Sequence, residues 1–195
     1  MDKEKLEVKD YIYVHDNAMP FEALSSFLLW INTLTEFGDA EIFNGGEVKK
    51  IKEIRDVQCF SLPNRHPSKT LIHWQRVLVN LFKKALVLYR EKHSFVGFNL
   101  EEIRSIEILK YYEGNHFTLH TDHAAKEPRT MSIIFLLNND YEGGELAFTS
   151  PNGKHEFVVE NKPNRLVLFP SNFLYPHVVK PVKKGIRYSV VSWVL

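Results

Sequence analysis

From Ile103 to the C-terminus the chain reads as a succession of short runs rich in β-branched and aromatic residues. They are IEILKYY, FTLH, MSIIFLL, ELAFT, HEFVV, RLVLF, YPHVV and RYSVVSWVL. Turn signals separate them: Glu113-Gly114-Asn115, Gly143-Gly144, Pro151-Asn152-Gly153, Lys162-Pro163-Asn164 and Lys184-Gly185. Asn152-Gly153, between two alternating runs, predicts a hairpin turn. About eight strands at this spacing imply a sandwich or jelly roll and argue against a parallel sheet.

The first half has a different period. Asn17 to Phe37 carries Phe21, Leu24, Leu28, Ile31 and Leu34, with Pro20 near its start and Phe37-Gly38 as a stop. Those steps of three and four predict a helix with one apolar stripe. A second helix is expected from Ser68, a good N-cap, to His93, with Leu71, Trp74, Leu78, Leu81, Ala85 and Leu88 facing one way. The stripe spans only about three heptads, so packing on a sheet is favoured over a coiled-coil seam. Asn44 to Pro67 reads as short strands and a connector, with FSLPNRHPS as loop. The expected fold class is therefore mainly β with supporting α: a double-stranded β-helix (jelly roll, cupin-like) with N-terminal helices packed on one sheet. A single domain over 1–195 fits the length, with 1–100 as helical support and variable loop and 101–195 as the jelly-roll core.

Composition narrows the function. Twenty-five Lys and Arg against 24 Asp and Glu give a net charge of +1, so bulk charge gives no support to nucleic-acid binding, although a local basic patch stays open. Cys59 is the only cysteine, which excludes a disulfide within the chain and any metal site of several thiolates. The start, MDKEKLEVKD, lacks an apolar signal region, and no apolar run approaches the ~18 residues of a membrane span. The expectation is a cytoplasmic chain with no membrane partner. Oligomeric state is not readable.

The chemistry concentrates in Leu119-His120-Thr121-Asp122. Two positions apart on a strand, His120 and Asp122 face the same way. An imidazole and a carboxylate side by side suit a divalent cation. His177, in Tyr175-Pro176-His177-Val178-Val179, is the best third ligand. Two histidines and one carboxylate are the ligand set of non-haem Fe(II) oxygenases, although zinc accepts the same donors. His116 and His123 flank the motif at spacings that suit a facial set less well. Arg187 lies on the last apolar strand, where an unpaired guanidinium is costly to bury and its planar fork suits a carboxylate. A salt bridge to an internal acid and a solvent-facing arginine are the structural alternatives.

Taken in order, Tyr112-Glu113-Gly114, His120-Thr121-Asp122, Arg129-Thr130-Met131-Ser132, Glu142-Gly143-Gly144-Glu145-Leu146, Leu168-Phe169-Pro170, His177, and Gly185-Ile186-Arg187-Tyr188-Ser189 with Trp193 resemble the Fe(II)/2-oxoglutarate-dependent dioxygenases, in their prolyl 4-hydroxylase-like branch. The resemblance covers roughly the last half of the chain. It implies that His120, Asp122 and His177 ligate Fe(II). It implies that Arg187 binds the far carboxylate of 2-oxoglutarate, with Tyr112 near that co-substrate and Ser189 as a partner of Arg187. Arg129, Trp193 and Tyr111 would line the substrate cleft. The strand MSIIFLL lacks a tyrosine that some members use for the co-substrate.

The implied activity is hydroxylation of an unactivated C–H bond, with a prolyl residue of a peptide or protein as expected target. Fe(II), 2-oxoglutarate and O2 are the implied cofactor and co-substrates, ascorbate the implied reductant, and succinate and CO2 the co-products. A non-catalytic 2-oxoglutarate- and metal-binding module, and an oxygenase of a free amino acid or other small molecule, are the alternatives.

Overall fold

The computed structural model describes residues 7–44, 47–93, 102–123, 128–150, 153 and 156–195. A 3-10 turn over Val8–Tyr11 leads into β1 (Tyr13–Asp16) and α1 (Phe21–Ile31). Next come β2 (Gly38–Asp39), β3 (Ile42–Asn44), β4 (Glu47–Lys49), β5 (Arg55–Asp56), β6 (Gln58–Leu62) and α2 (Lys69–Lys92). The second half supplies β7 (Ile103–Tyr111), β8 (His116–His120), β9 (Met131–Leu136), β10 (Glu142–Gly143), β11 (Leu146–Thr149), β12 (Glu156–Val159), β13 (Arg165–Pro170), β14 (His177–Val179), β15 (Val182–Lys184) and β16 (Arg187–Val194). All eight sequence runs from Ile103 onward are strands.

Two antiparallel sheets face each other. The larger runs β1-β13-β9-β16-β7-β6-β2 and the smaller β12-β11-β14-β8-β5. This is the jelly roll that the strand spacing implies. The hairpin joins Thr149 to Glu156 by register. Pro151 and Asn152 lie outside the described residues, and Gly153 takes φ 70°.

The large sheet is covered on both faces, which explains why β9 reads MSIIFL without polar alternation and is buried along its length. Met131, Ile133 and Phe135 face the helices, while Ile134 and Leu136 face the small sheet. On the helix side, α2 buries Trp74, Leu78, Phe82, Ala85, Leu86 and Tyr89 against β13, β6 and β7. Full burial of side chains such as Leu78 and Phe82 contributes about 2 kcal/mol each. The stripe turns onto Phe82 where the sequence spacing favoured Leu81, because helices of 3.6 residues per turn drift from a strict seven-residue repeat. Ser68 caps α2, its hydroxyl accepting from the Leu71 N–H. Phe27 and Trp30 of α1 pack on Trp74, with ring centroids 4.8 and 6.0 Å away.

Three expectations need correction. The first helix ends at Ile31, six residues before Phe37, because Thr33 turns the chain by bonding the Trp30 carbonyl through both its N–H and its hydroxyl. Phe21, at its first position, points to solvent at 75% exposure. Phe60-Ser61-Leu62 is strand, not loop, since β6 finds open hydrogen-bonding partners along β7. The first half is also more than helical support: β1, β6 and β2 extend the large sheet and β5 the small one. Among the described residues, no helix is long and apolar enough to cross a membrane.

Edge strand β1 is fastened where Asp16 opposes Arg165. The guanidinium grips both carboxylate oxygens, at 2.7 and 3.1 Å, and Lys162 adds a contact of 2.7 Å. Hydrogen bonds from Arg165 and then Lys162 hold the Asp16 carboxyl well below the usual carboxylate range. Because the folded-state pKa is depressed, the stabilisation is complete above the unfolded value near 4 and fades as pH falls towards the folded one. Asp16→Asn is expected to cost about 1 kcal/mol, or about 2–4 °C in Tm, at pH 7. Thermal melts should show the gap between wild type and variant narrowing below about pH 4; a gap constant with pH would exclude the ion pair as its source.

Candidate metal centre

Strands β8 and β14 pair antiparallel with His177 opposite His120. Asp122 follows β8 by two residues. The Nδ1 of His120 meets the Thr118 carbonyl at 2.8 Å, and that of His177 meets the Tyr175 carbonyl at 3.1 Å. With Nδ1–H donated to a carbonyl, each ring presents the lone pair of Nε2. Both Nε2 atoms lie 3.7 Å from Asp122, one from each carboxylate oxygen. One donor atom from each of the three side chains lies within 4.8 Å of the others. His177 is buried and the other two nearly so.

The surroundings fix these groups. Ser132, the polar exception in β9, donates to Asp122 Oδ2 at 2.6 Å and shares a 2.7 Å hydroxyl contact with Ser171. Burial pushes the Asp122 carboxyl up, but the imidazoles of His177 and His120 and the bonds from Ser132 and Trp193 outweigh it, so the group stays below its ordinary value. Burial, and then the neighbouring His177, hold His120 well below the usual imidazole range. At neutral pH His120 is therefore an uncharged donor, the form that binds a metal. Phe117 stacks on His120, and Phe169 meets the edge of His177. Ser132→Ala, which releases one oxygen of the carboxylate, is expected to weaken metal affinity about 10–100-fold with little change in fold. Titration with Fe(II) or Mn(II) under argon measures it; unchanged affinity would show that Ser132 is packing alone.

A second polar feature adjoins the triad. Arg187 is 1% exposed on β16, directly opposite Tyr111 of β7. Its NH1 donates to Ser189 Oγ at 2.8 Å, and its guanidinium carbon lies 4.9 Å from the Tyr111 ring centre. Tyr111 in turn lines the small cavity at the triad, with Arg55, Phe117, Ile134, Val191 and Trp193. Gly144 (φ 64°) clears the space beside Arg187, since a Cβ there would stand 3.0 Å from its Cδ. Among the described residues no carboxylate pairs with Arg187. Its Nε and the Tyr141 hydroxyl are buried without partners. The two groups adjoin: the Arg187 guanidinium partly offsets the burial that raises the Tyr141 hydroxyl. A buried cation with an idle donor beside it fits an anionic ligand such as a carboxylate.

The remaining sequence assignments divide. Tyr112 is corrected: β7 alternates, so Leu109 and Tyr111 point between the sheets while Tyr112 points out, 38% exposed, under the Lys110 ammonium. Tyr111 is the cavity tyrosine. Ser189 touches Arg187. Arg129 lies 3.9 Å over the Trp193 ring and donates to the Asp122 carbonyl at 3.4 Å, and Trp193 lines the cavity. His116 bonds the Gly114 carbonyl, and neither it nor His123 joins the donor cluster.

Sequence reasoning missed Arg55, Tyr141 and Ser132 in these positions. Arg55 pairs with Glu107 at 3.0 Å and lies 5.1 Å over Phe117. Only Ser132 left a signal, as a lone hydroxyl in an apolar run.

Comparison with known proteins agrees with this geometry. Residues 106–195 match the profile of the 2OG-Fe(II) oxygenase superfamily. A PKHD-type hydroxylase of Crocosphaera subtropica is 33% identical over 186 residues, covering 92% of this chain and 76% of that protein. A PKHD-type hydroxylase of Synechococcus sp. (strain JA-2-3B'a(2-13)) is 35% identical over 100 residues. That match covers 47% of this chain and spans only 43% of the relative's length. Among solved structures, a prolyl hydroxylase from Trichoplax adhaerens, in complex with a hypoxia inducible factor oxygen degradation domain peptide fragment, superposes with a TM-score of 0.75. It is 15% identical, over 95% of this chain and 84% of that one, and shows a shared fold. A triad of this composition between the sheets of a jelly roll, together with the near-full-length relative, shows that the chain belongs to the 2OG-Fe(II) oxygenase superfamily.

Proposed function

We propose that this protein is an Fe(II)- and 2-oxoglutarate-dependent hydroxylase acting on a peptide or protein, with a prolyl side chain as its target. The observation that carries the reading is the convergence of His120, Asp122 and His177 on a cavity lined by Tyr111, with the buried Arg187, which no described carboxylate neutralises, 4.9 Å behind that ring. His120, Asp122 and His177 would hold Fe(II), and Arg187 with Ser189 and Tyr141 would hold the far carboxylate of 2-oxoglutarate. When bound, the iron and co-substrate would supply the oxidising power for inserting one atom of O2 into a C–H bond, the other atom entering succinate as 2-oxoglutarate loses CO2.

The chain's own contribution is geometric. Carbonyl bonds to both Nδ1 atoms keep each Nε2 free, Ser132 orients the carboxylate, and Phe117, Phe148 and Phe169 keep the imidazoles in apolar surroundings. Tyr111 separates no charge but orients the guanidinium by cation–π contact. Trp193, with Arg129 stacked on it, forms a wall on which a substrate would rest. Relatives named for hydroxylation and a fold neighbour with a bound peptide support a peptide substrate. We assign the activity to 1–195 as one unit, because strands from both halves build each sheet.

The test is succinate release from 2-oxoglutarate by Fe(II)-loaded protein with ascorbate, with and without proline-containing peptides. Mass spectrometry of the peptides should find a gain of one oxygen. Stimulated succinate release with that gain is expected. Tight 2-oxoglutarate binding with no turnover on any peptide would overturn the proposal.

A further inference from the structure

The charge of this chain is unevenly placed. Helix α2 holds six Lys and Arg against one acid, Glu91, so it carries +5 in a chain of net charge +1 and leaves −4 on the rest. Lys69, Arg76, Lys83 and Arg90 recur every seven residues, about 10.5 Å apart along the axis, and all four are exposed. The opposite side of α2 is the one packed on the large sheet, so this row looks away from the triad, which lies between the sheets.

At its N-terminal end the row opens into a groove of about 620 Å³ between α2 and the loop before it. Arg65, Lys69 and Arg76 are its cations, and no acid lines it. Lysines and arginines elsewhere commonly meet carboxylates, as in Arg55–Glu107 and Arg165–Asp16. Among the described residues, these three have no acidic partner. Polar neighbours are turned to donate. Asn64 spends its carbonyl on Gln75, and His66 accepts the Ser68 N–H at Nδ1, which leaves N–H groups on both side chains for a ligand. Pro67, Ile72 and Val77 add apolar surface to the same groove.

We propose that this groove is a docking site for an acidic, partly apolar peptide segment of a partner protein. Three unpaired cations select carboxylates, with two arginine forks suited to bidentate contact. The apolar Pro67, Ile72 and Val77 suit the side chains between those carboxylates. A phosphodiester chain would leave that surface uncovered, and the groove has no Phe, Tyr or Trp on which bases could stack. Docking here is remote from the triad and does not require the oxygenase reading.

Fluorescence anisotropy of the full chain without iron tests this with a labelled peptide of Asp-Glu-Leu repeats. Binding is expected, weakening at least about tenfold between 50 and 300 mM NaCl. The triple variant Arg65→Glu, Lys69→Glu, Arg76→Glu, all on exposed positions, is expected to lose at least about tenfold in affinity, while Lys50→Glu keeps it. Equal melting temperatures and equal circular-dichroism spectra of wild type and variant would separate lost docking from lost folding. No peptide binding, binding that survives the triple variant, or tighter binding of oligo(dT) than of the peptide would overturn the proposal.

Discussion

Replacing His177 with alanine is expected to abolish iron binding and to lower 2-oxoglutarate turnover by more than about 10³-fold. The argument is geometric. His177 supplies one of only three donor atoms, and in the donor cluster among the described residues neither His116 nor His123 is placed to replace it. The fold should survive: His177 is buried, but its side-chain hydrogen bond is to the Tyr175 carbonyl only two residues earlier, just before β14. Loss of the ring leaves a cavity beside Phe148 and Phe169, costing about 1–3 kcal/mol. Anaerobic metal titration with a melt of the apoprotein separates the two effects. A variant that still binds Fe(II) with wild-type affinity would refute the ligand assignment.

Arg187→Leu is expected to do the opposite to stability. The guanidinium is buried among a serine hydroxyl, the Tyr111 face and the neighbouring Tyr141 hydroxyl, with no described carboxylate and an orphaned Nε. Removing an uncompensated buried charge for an apolar side chain of similar reach should leave the apoprotein as stable as wild type or more so, by about 1 kcal/mol or more. Metal affinity should be unchanged. Affinity for 2-oxoglutarate should fall on the order of 10²–10³-fold, since the cost is that of a desolvated charge pair. The thermal shift that 2-oxoglutarate gives wild type should then vanish. Calorimetric titration and melts with and without 2-oxoglutarate read this out. A variant that binds 2-oxoglutarate as tightly as wild type would place the co-substrate carboxylate elsewhere.

Much of the fold was legible because its determinants are local. Turn residues and β-rich runs mark eight of the ten described strands from β7 onward, and Ser68 marks the start of α2. What misled was also local. Phe21 and Leu34 continue the spacing of α1, but spacing does not register that Thr33 diverts the backbone. Phe60-Ser61-Leu62 has no strand signature beyond its apolar ends and becomes strand because β7 offers it an edge. In the site, the order of motifs pointed to His120, Asp122, His177 and Arg187, and the structure brings the first three together. Tyr112 was preferred over Tyr111 from motif order alone, where the pleat of β7 decides which ring turns inward.

The sequence by itself determined the class of fold and the chemical types at the site, because strand alternation, turn propensity and donor chemistry belong to a few neighbouring residues. Tertiary structure decided the rest. Arg55, Tyr141 and Ser132 reach the site from three separate segments, and the pairing of β14 with β8 in the small sheet sets His177 against His120. Contacts of that kind depend on how strands register and sheets face each other, which is a property of the whole chain and is written in no single stretch of it.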